Sequence, residues 1–211
     1  MTEQPNDAPR AAQTTDNQDE LFDVVNEADE VIGQTRRGDA HRDPRLSHRS
    51  VQILIFNHAG ELLLQRRSLS KDLFPGYYCA SASGHVISGD DYATTAAREI
   101  GEELGVVPAL TCIGKATVRT AMETEITAVF VGRHDGPFRF HPVETLGGAF
   151  YSLAAIALGR ADGSLPLTPA FLAALDLYLA SAAAQPSADP ADTTADTTAD
   201  RSPHTTSPVA R

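Results

Sequence analysis

Residues 84–106 read GHVISGDDYATTAAREIGEELGV, and this stretch decides what kind of molecule the chain makes. Within it Ala97, Ile100 and Leu104 recur at i, i+3 and i+7, the spacing of a buried helical stripe, while Glu99, Glu102 and Glu103 fall at i, i+3 and i+4 on another face. Asp90 or Asp91 can cap one end and Gly105 the other, so a helix is predicted from about Tyr92 to Leu104. Like charges at this spacing destabilise a helix by roughly a few tenths of a kcal/mol per pair. Arg98 can neutralise only part of the cluster. A hard divalent cation, Mg²⁺ or Mn²⁺, is the natural compensation, because such ions prefer carboxylate and carbonyl oxygens and often bind together with substrate phosphates.

Outward from this helix the chain alternates strand and helix signals. Segments 21–25 and 31–35 flank a polar NEADE turn and predict a hairpin. Segment 51–56, apolar except for Gln52, fits a largely buried strand, and a turn at 57–60 leads to another at 61–66. A strand at 77–83 follows the Phe-Pro-Gly turn. Further strands are expected at about 110–121 and 124–131, with helical patterns at 153–159 and 169–180. The expected class is α+β, helices packed on sheet. Residues 1–19 lack apolar periodicity, and the stretch from 181 to 211 repeats ADTT at 191–194 and 195–198. Both are expected to be disordered tails around one domain at 20–180.

The formal net charge of −11 argues against nucleic acid as a partner, since binding its backbone requires a basic footprint. A small anionic substrate remains compatible where cations gather locally. No run approaches the ~20 apolar residues of a membrane span, and the first 20 residues contain no signal-like apolar region, so a cytoplasmic location away from membranes is expected. Cys79 and Cys112 are too few for a disulfide framework. Oligomeric state is unknown from the sequence.

Gly84, Asp90, Arg98, Glu99, Ile100, Glu102, Glu103, Gly105 and Val106 together resemble the Nudix box, which reads Gly, five residues, Glu, seven residues, Arg-Glu-aliphatic-any-Glu-Glu-any-Gly-aliphatic. The one departure is Asp90, where the family usually has Glu. The resemblance implies a Nudix-like α/β/α sandwich with a mixed central sheet and the Nudix loop-helix. It implies that Glu99, Glu102 and Glu103 ligate metal or act as base, that Arg98 holds a carboxylate in place, and that the Gly84 carbonyl is a further ligand. The substrate class it implies is a small molecule with a diphosphate linkage.

The segment QRRSLSKDLFPGYYCASASGH at 65–85 is similar to the isopentenyl-diphosphate isomerase branch of that superfamily. This likeness implies that Arg67 and Lys71 grip a diphosphate, a task suited to a bidentate guanidinium and a point-charge ammonium. It also implies a second metal site from His41, His48, His85, Glu123 and Glu125. Three departures count against isomerase chemistry. Ser83 stands where that branch needs Cys, the chain contains no Trp, and Glu99 stands where the isomerases have Arg. Cys79 lies roughly 13 Å upstream along an extended strand and cannot simply replace the missing thiol. Cys79, Cys112 and the pairs Tyr77/Tyr78 and Phe150/Tyr151 default to packing. The expectation is therefore a Nudix hydrolase, with an isopentenyl-diphosphate isomerase-like enzyme or a catalytically idle phosphometabolite-binding module as alternatives.

Overall fold

The computed structural model of the chain describes residues 16–184. A hairpin of β1 (Leu21–Val25) and β2 (Val31–Arg36) forms its own two-stranded sheet and runs into one helical turn, α1 (Arg37–Ala40). The main sheet contains β3 (His48–Phe56), β4 (Leu62–Arg67), β5 (Tyr78–Cys79) and β6 (Ala82–His85). After α2 (Tyr92–Leu104) it adds β7 (Thr111–Arg119), β8 (Thr124–Arg133) and β9 (Thr145–Tyr151), and the helices α3 (Leu153–Asp162) and α4 (Pro169–Ala184) follow. The strand path is β5-β4-β3-β8-β7, with β6 also paired to β3 and β9 to β4; β3 and β8 are parallel and the other pairs antiparallel.

The central strand explains the layering. In β3, Val51, Ile53 and Ile55 join one apolar core with Ile100 and Leu104 of α2, whereas Leu54 and Phe56 join a second core with Ile156 of α3 and Phe171 and Leu175 of α4. A strand apolar on both faces must be covered on both, so the result is an α/β/α sandwich around a mixed sheet. On the Leu54 face the apolar run stops toward the strand's start, where Gln52, Ser50 and His48 continue it with polar side chains.

The α2 helix forms over the expected residues, but its buried face is Thr95, Ala96, Ile100 and Leu104; Ala97, expected in the stripe, is exposed because the helix turns its Ala96 side to the sheet. The Asp91 carboxylate accepts the Thr94 N–H at 2.7 Å, and Gly105 ends the helix in the left-handed region at φ +68°.

Elsewhere the structure corrects the sequence reading. The strand expected at 77–83 divides into β5 and β6, because Ser81 replaces the ladder with its side chain: Oγ donates to the Leu63 carbonyl at 2.7 Å and accepts the Ile55 N–H at 2.8 Å. The chain thereby switches partner from β4 to β3. His48 lies on β3, not in an irregular segment, and His41 closes α1. β9 was not expected. Its Gly147 and Gly148 hide the strand pattern, yet at Gly148 a Cβ would lie 2.7 Å from the Leu64 carbonyl, so the close pairing with β4 requires glycine. The last helix extends to Ala184. Of the two segments expected as tails, 16–19 and 181–184 are described: the Gln18 carbonyl accepts the Gly38 N–H at 3.0 Å, and 181–184 is helical. The remainder lies outside the described residues. No described helix is long and apolar enough to cross a membrane.

Candidate active site

A cavity of about 530 Å³ opens where β3, β4, β6 and the start of β8 meet α2 and the loop after β4. Glu99, Glu102 and Glu103 reach it from α2, Arg67 and Lys71 from β4 and its loop, and His41, His85, Glu123 and Glu125 from the opposite side; His48 stands directly behind these. The candidate catalytic, substrate-binding and metal-ligating side chains therefore belong to one neighbourhood, Arg98 through its pairs with Glu99 and Glu102.

The three glutamates are not equivalent. Glu102 is exposed and shares Arg98 with Glu99, the guanidinium Nη1 lying 3.1 Å from Glu102 and 2.8 Å from Glu99. Glu99 is mostly buried beside Gly84, where an added Cβ would sit 2.1 Å from its carboxyl carbon, so only glycine permits this approach. Glu103 is buried deepest. One of its oxygens accepts Gln65 Nε2 at 2.6 Å and the other the Ser83 N–H at 3.4 Å. Burial pushes Glu99 up to about 7 against the opposing pull of the Arg98 charge, and burial followed by the Glu99 charge pushes Glu103 up to about 8. Two carboxyls that resist ionisation in a shared pocket describe a place deficient in positive charge.

At the other end, His41, His48, His85 and Glu123 each offer a ligand atom, all within 4.8 Å of one another. Glu125 adds an oxygen 3.2 Å from His85 Nε2 and 3.8 Å from His48 Nε2. The parallel β3–β8 register, which sets His48 opposite Glu125, brings two of these groups together. Phe22 of β1 stacks on the rings of His48 and His85 at 5.1 and 4.8 Å, which shields the cluster from water. Burial, then its histidine neighbour, lowers His48 to about 3, so the imidazole is neutral. His85 is lowered as well, by burial and then by Arg37. Burial and the nearby Glu125 raise Glu123. The buried atoms His48 Nε2 and Glu123 Oε2 have no hydrogen-bond partner among the described residues. Neutral imidazoles, converging carboxylates and ligand atoms without hydrogen-bond partners are groups that could hold a divalent metal.

Several residues at the site were not singled out in the sequence. Arg37 of α1 is buried, with Nε 3.3 Å from Asp72, Nη2 3.5 Å from Asp16 and Nη1 3.6 Å from Glu20. Asp72 Oδ2 is 3.0 Å from His41 Nδ1, and a proton held there leaves the His41 Nε2 lone pair facing the cluster. Burial works against its charge, but the His41 hydrogen bond and the Arg37 charge hold the Asp72 carboxyl well below its usual range. Lys71 Nζ pairs with Asp16 at 2.5 Å and also with Glu144. The adjacency of Asp72 to Lys71 and of Arg37 to β2 carried no local signal. Cys79 also lines the cavity, rather than merely packing, but burial pushes its thiol up to about 12 and keeps it protonated.

Residues 46–171 match the NUDIX domain family. An uncharacterized Nudix hydrolase of Pseudomonas aeruginosa is 40% identical over 161 residues, covering 76% of this chain and 94% of the relative. An isopentenyl-diphosphate Delta-isomerase of Streptomyces avermitilis is 33% identical over 164 residues, covering 74% and 82%. The crystal structure of DR0079 from Deinococcus radiodurans superimposes with a TM-score of 0.63 at 31% identity, covering 76% of this chain and 98% of that one. With its sandwich, its loop-helix and more than half its length matched to the domain, this chain belongs to the Nudix superfamily, in the branch that includes isopentenyl-diphosphate isomerase-like proteins.

Proposed function

We propose that the chain hydrolyses a diphosphate linkage in a nucleotide-type or isoprenoid-type substrate, with Mg²⁺ or Mn²⁺ as cofactor and water as nucleophile. The observation that carries this reading is the set Glu99, Glu102 and Glu103, two of them held by Arg98, opening on the same cavity as Arg67 and Lys71. Glu99, Glu102, Glu103 and the Gly84 carbonyl would hold one ion, and His41, His48, His85, Glu123 and Glu125 a second. The fit is supported by the unpaired ligand atoms of His48 and Glu123, and by the close seating of Glu99 on Gly84. Such an ion, when bound, offsets charge on phosphate oxygens and makes water more acidic.

The remaining work falls to the protein. Arg67 and Lys71, with Arg37 beside them, bind the diphosphate oxygens. Arg98 holds Glu99 and Glu102 in register on α2. Glu103 is suited to take the proton of the attacking water at a carboxylate oxygen, because Gln65 orients the group and burial favours its protonated form. Wild-type turnover in Glu103→Gln or Glu102→Gln, assayed by phosphate or nucleoside monophosphate release, would count decisively against this reading.

A second reading, isomerisation of isopentenyl diphosphate, is favoured by the histidine set and by the named relative. Against it, the position needing an acidic thiol holds Ser83, and the Cys79 thiol is pushed away from ionisation. Deuterium uptake from heavy water into carbon-bound positions of isopentenyl diphosphate, with no phosphate release, would favour the isomerase over the hydrolase. Tight ligand binding without turnover of any phosphate compound would favour an idle binding module.

A further inference from the structure

Two of the cations that face the cavity are already held by carboxylates of the chain itself. The segment before β1 lies against the site, and its Asp16, Asn17 and Glu20 line the cavity. The Asp16 side chain is only 4% exposed. Its Oδ1 accepts Lys71 Nζ at 2.5 Å and lies 3.5 Å from Arg37 Nη2, while Oδ2 accepts the Asp72 N–H at 3.0 Å. Glu144, just before β9, also lines the cavity and makes a second pair with Lys71.

The segment has other fastenings that do not use the phosphate-binding cations' side chains. The Gln18 carbonyl accepts the Gly38 N–H at 3.0 Å, the Glu20 carbonyl accepts the Arg37 N–H at 2.8 Å, and Gln18 Nε2 donates to Asp72 Oδ2 at 3.3 Å. These hold the chain on α1 whether or not the Asp16 carboxylate stays in place. Ammonium and guanidinium groups bind carboxylate and phosphate oxygens by the same charge-assisted hydrogen bonds. Asp16 therefore makes the contacts that a phosphate oxygen would make with Lys71 and Arg37. Burial works against the Lys71 charge, and the Asp16 and Glu144 hydrogen bonds outweigh it. Removing these carboxylates with nothing in their place would leave a buried cation unpaired, which is costly, so an entering anion is the natural replacement.

We propose that Asp16, assisted by Glu144, is a built-in competitor for the phosphate grip: the substrate's phosphate oxygens enter by displacing the Asp16 carboxylate from Lys71 and Arg37, and the carboxylate returns when product leaves. This inference rests on the reading of Lys71 and Arg37 as diphosphate-binding residues. A ligand that binds only when Asp16 has let go has its apparent affinity reduced in proportion to the fraction of molecules in which it has. Asp16 thereby sets how tightly anions are held without taking part in the reaction. A residue that instead positioned Lys71 for the substrate would have the opposite effect on binding when removed.

The test is calorimetric titration of the full chain, in Mg²⁺, with methylenediphosphonate, which cannot be hydrolysed. Asp16→Asn keeps the shape of the side chain but not its charge, and is expected to bind about tenfold more tightly than wild type. Glu144→Gln is expected to give a smaller gain. Asp19→Asn is the control: its side chain is 79% exposed and pairs with Arg36, so it removes the same charge nearby without touching the grip, and affinity should stay near wild type. Asp16→Asn should also lower the Tm without ligand, and methylenediphosphonate should raise that Tm by more than it raises the wild-type value. The inference is overturned if Asp16→Asn binds no more tightly than wild type, or if Asp19→Asn gains as much, which would make the effect one of net charge. Should Asp16→Asn fail to fold, Glu144→Gln decides by the same criterion. Absence of binding by wild type and all three variants would instead remove the diphosphate reading itself, and this inference with it.

Discussion

The two acid-bearing ends of the cavity are built on opposite plans. The α2 end takes Arg98, Glu99, Glu102 and Glu103 from consecutive turns of one helix, keeps its counter-ion within the set, and leaves Glu102 59% exposed. The histidine end gathers His41 from the end of α1, His48 from β3, His85 from β6, Glu123 from the turn just before β8 and Glu125 from β8 itself, with Phe22 stacked on His48 and His85. One end offers oxygen ligands alone, which suit Mg²⁺; the other mixes imidazole with carboxylate, which suits Mn²⁺ and other transition ions. The contrast teaches that charge repulsion on a helix needs only local spacing to be set up, whereas a mixed ligand shell needs the sheet to be assembled first.

If catalysis depends chiefly on the α2 end, the largest effect should come from Glu103. Glu103→Gln is expected to lower kcat/KM for the best diphosphate substrate by about 10²- to 10⁴-fold, with His48→Ala costing less in Mg²⁺. Steady-state assays of both variants sharpen the comparison, and equal losses would show that the ends act as one inseparable centre.

The next effect concerns metal affinity. Asp72 orients His41 and touches no cavity metal position itself, so Asp72→Ala should weaken Mn²⁺ binding at the histidine end by about 10- to 100-fold, in line with the loss of an outer hydrogen-bond partner. Paramagnetic resonance titration of Mn²⁺ would detect it, with Asp72→Asn restoring part of the affinity. An unchanged titration would mean that the histidine end needs no external orientation.

A pH experiment separates the buried carboxyls of both ends from the buried imidazole by sign. Glu99 and Glu103 are raised from 4.5 to about 7 and about 8, so over that interval the native chain holds more protons than the unfolded one, and metal-free stability falls as pH rises. His48, lowered from 6.5 to about 3, contributes in the opposite direction, gaining stability with pH only below 6.5, where the unfolded imidazole would be charged. Between pH 6.5 and 8 the raised carboxyls, Glu99 and Glu103 at one end and Glu123 at the other, therefore set the trend and His48 adds nothing to it. Thermal unfolding in chelator should show a Tm that declines across this window, and saturating Mn²⁺ should flatten the decline. A flat profile in chelator would break the distinction.

The smallest effect is purely structural. Asp91→Ala removes the α2 N-cap and should cost about 1 kcal/mol by denaturant unfolding, with metal affinity at the histidine end unaltered.

The helix end was largely legible in the sequence because what it needs lies within it: apolar Ile100 and Leu104, a cap on each side, and carboxylates at helical spacing, although the stripe is completed by Ala96 and not by the expected Ala97. The resemblance to known families supplied Arg67, Lys71 and the histidine set, and the structure brings these residues together around the cavity. Arg37, Asp72 and Asp16 were missed because each is an unremarked charge until α1 and the loop after β4 fold against each other. Strand identity was legible where a short apolar run bounded by turns marked it, as in β3 and β4, and was lost where glycines interrupt the pattern in β9 or where Ser81 substitutes for the ladder between β5 and β6.

By itself, then, the sequence determined the α2 helix, its caps and its acidic face, because hydrogen bonds and side-chain spacing along a single helix are local. Only the tertiary structure decided that β3 pairs in parallel with β8, that β6 changes partners to carry His85 beside Ser50, and that Gln52 ends buried without a partner facing the cavity. Those outcomes depend on contacts between residues distant in sequence, whose register is set by the packing of two cores on opposite faces of one sheet.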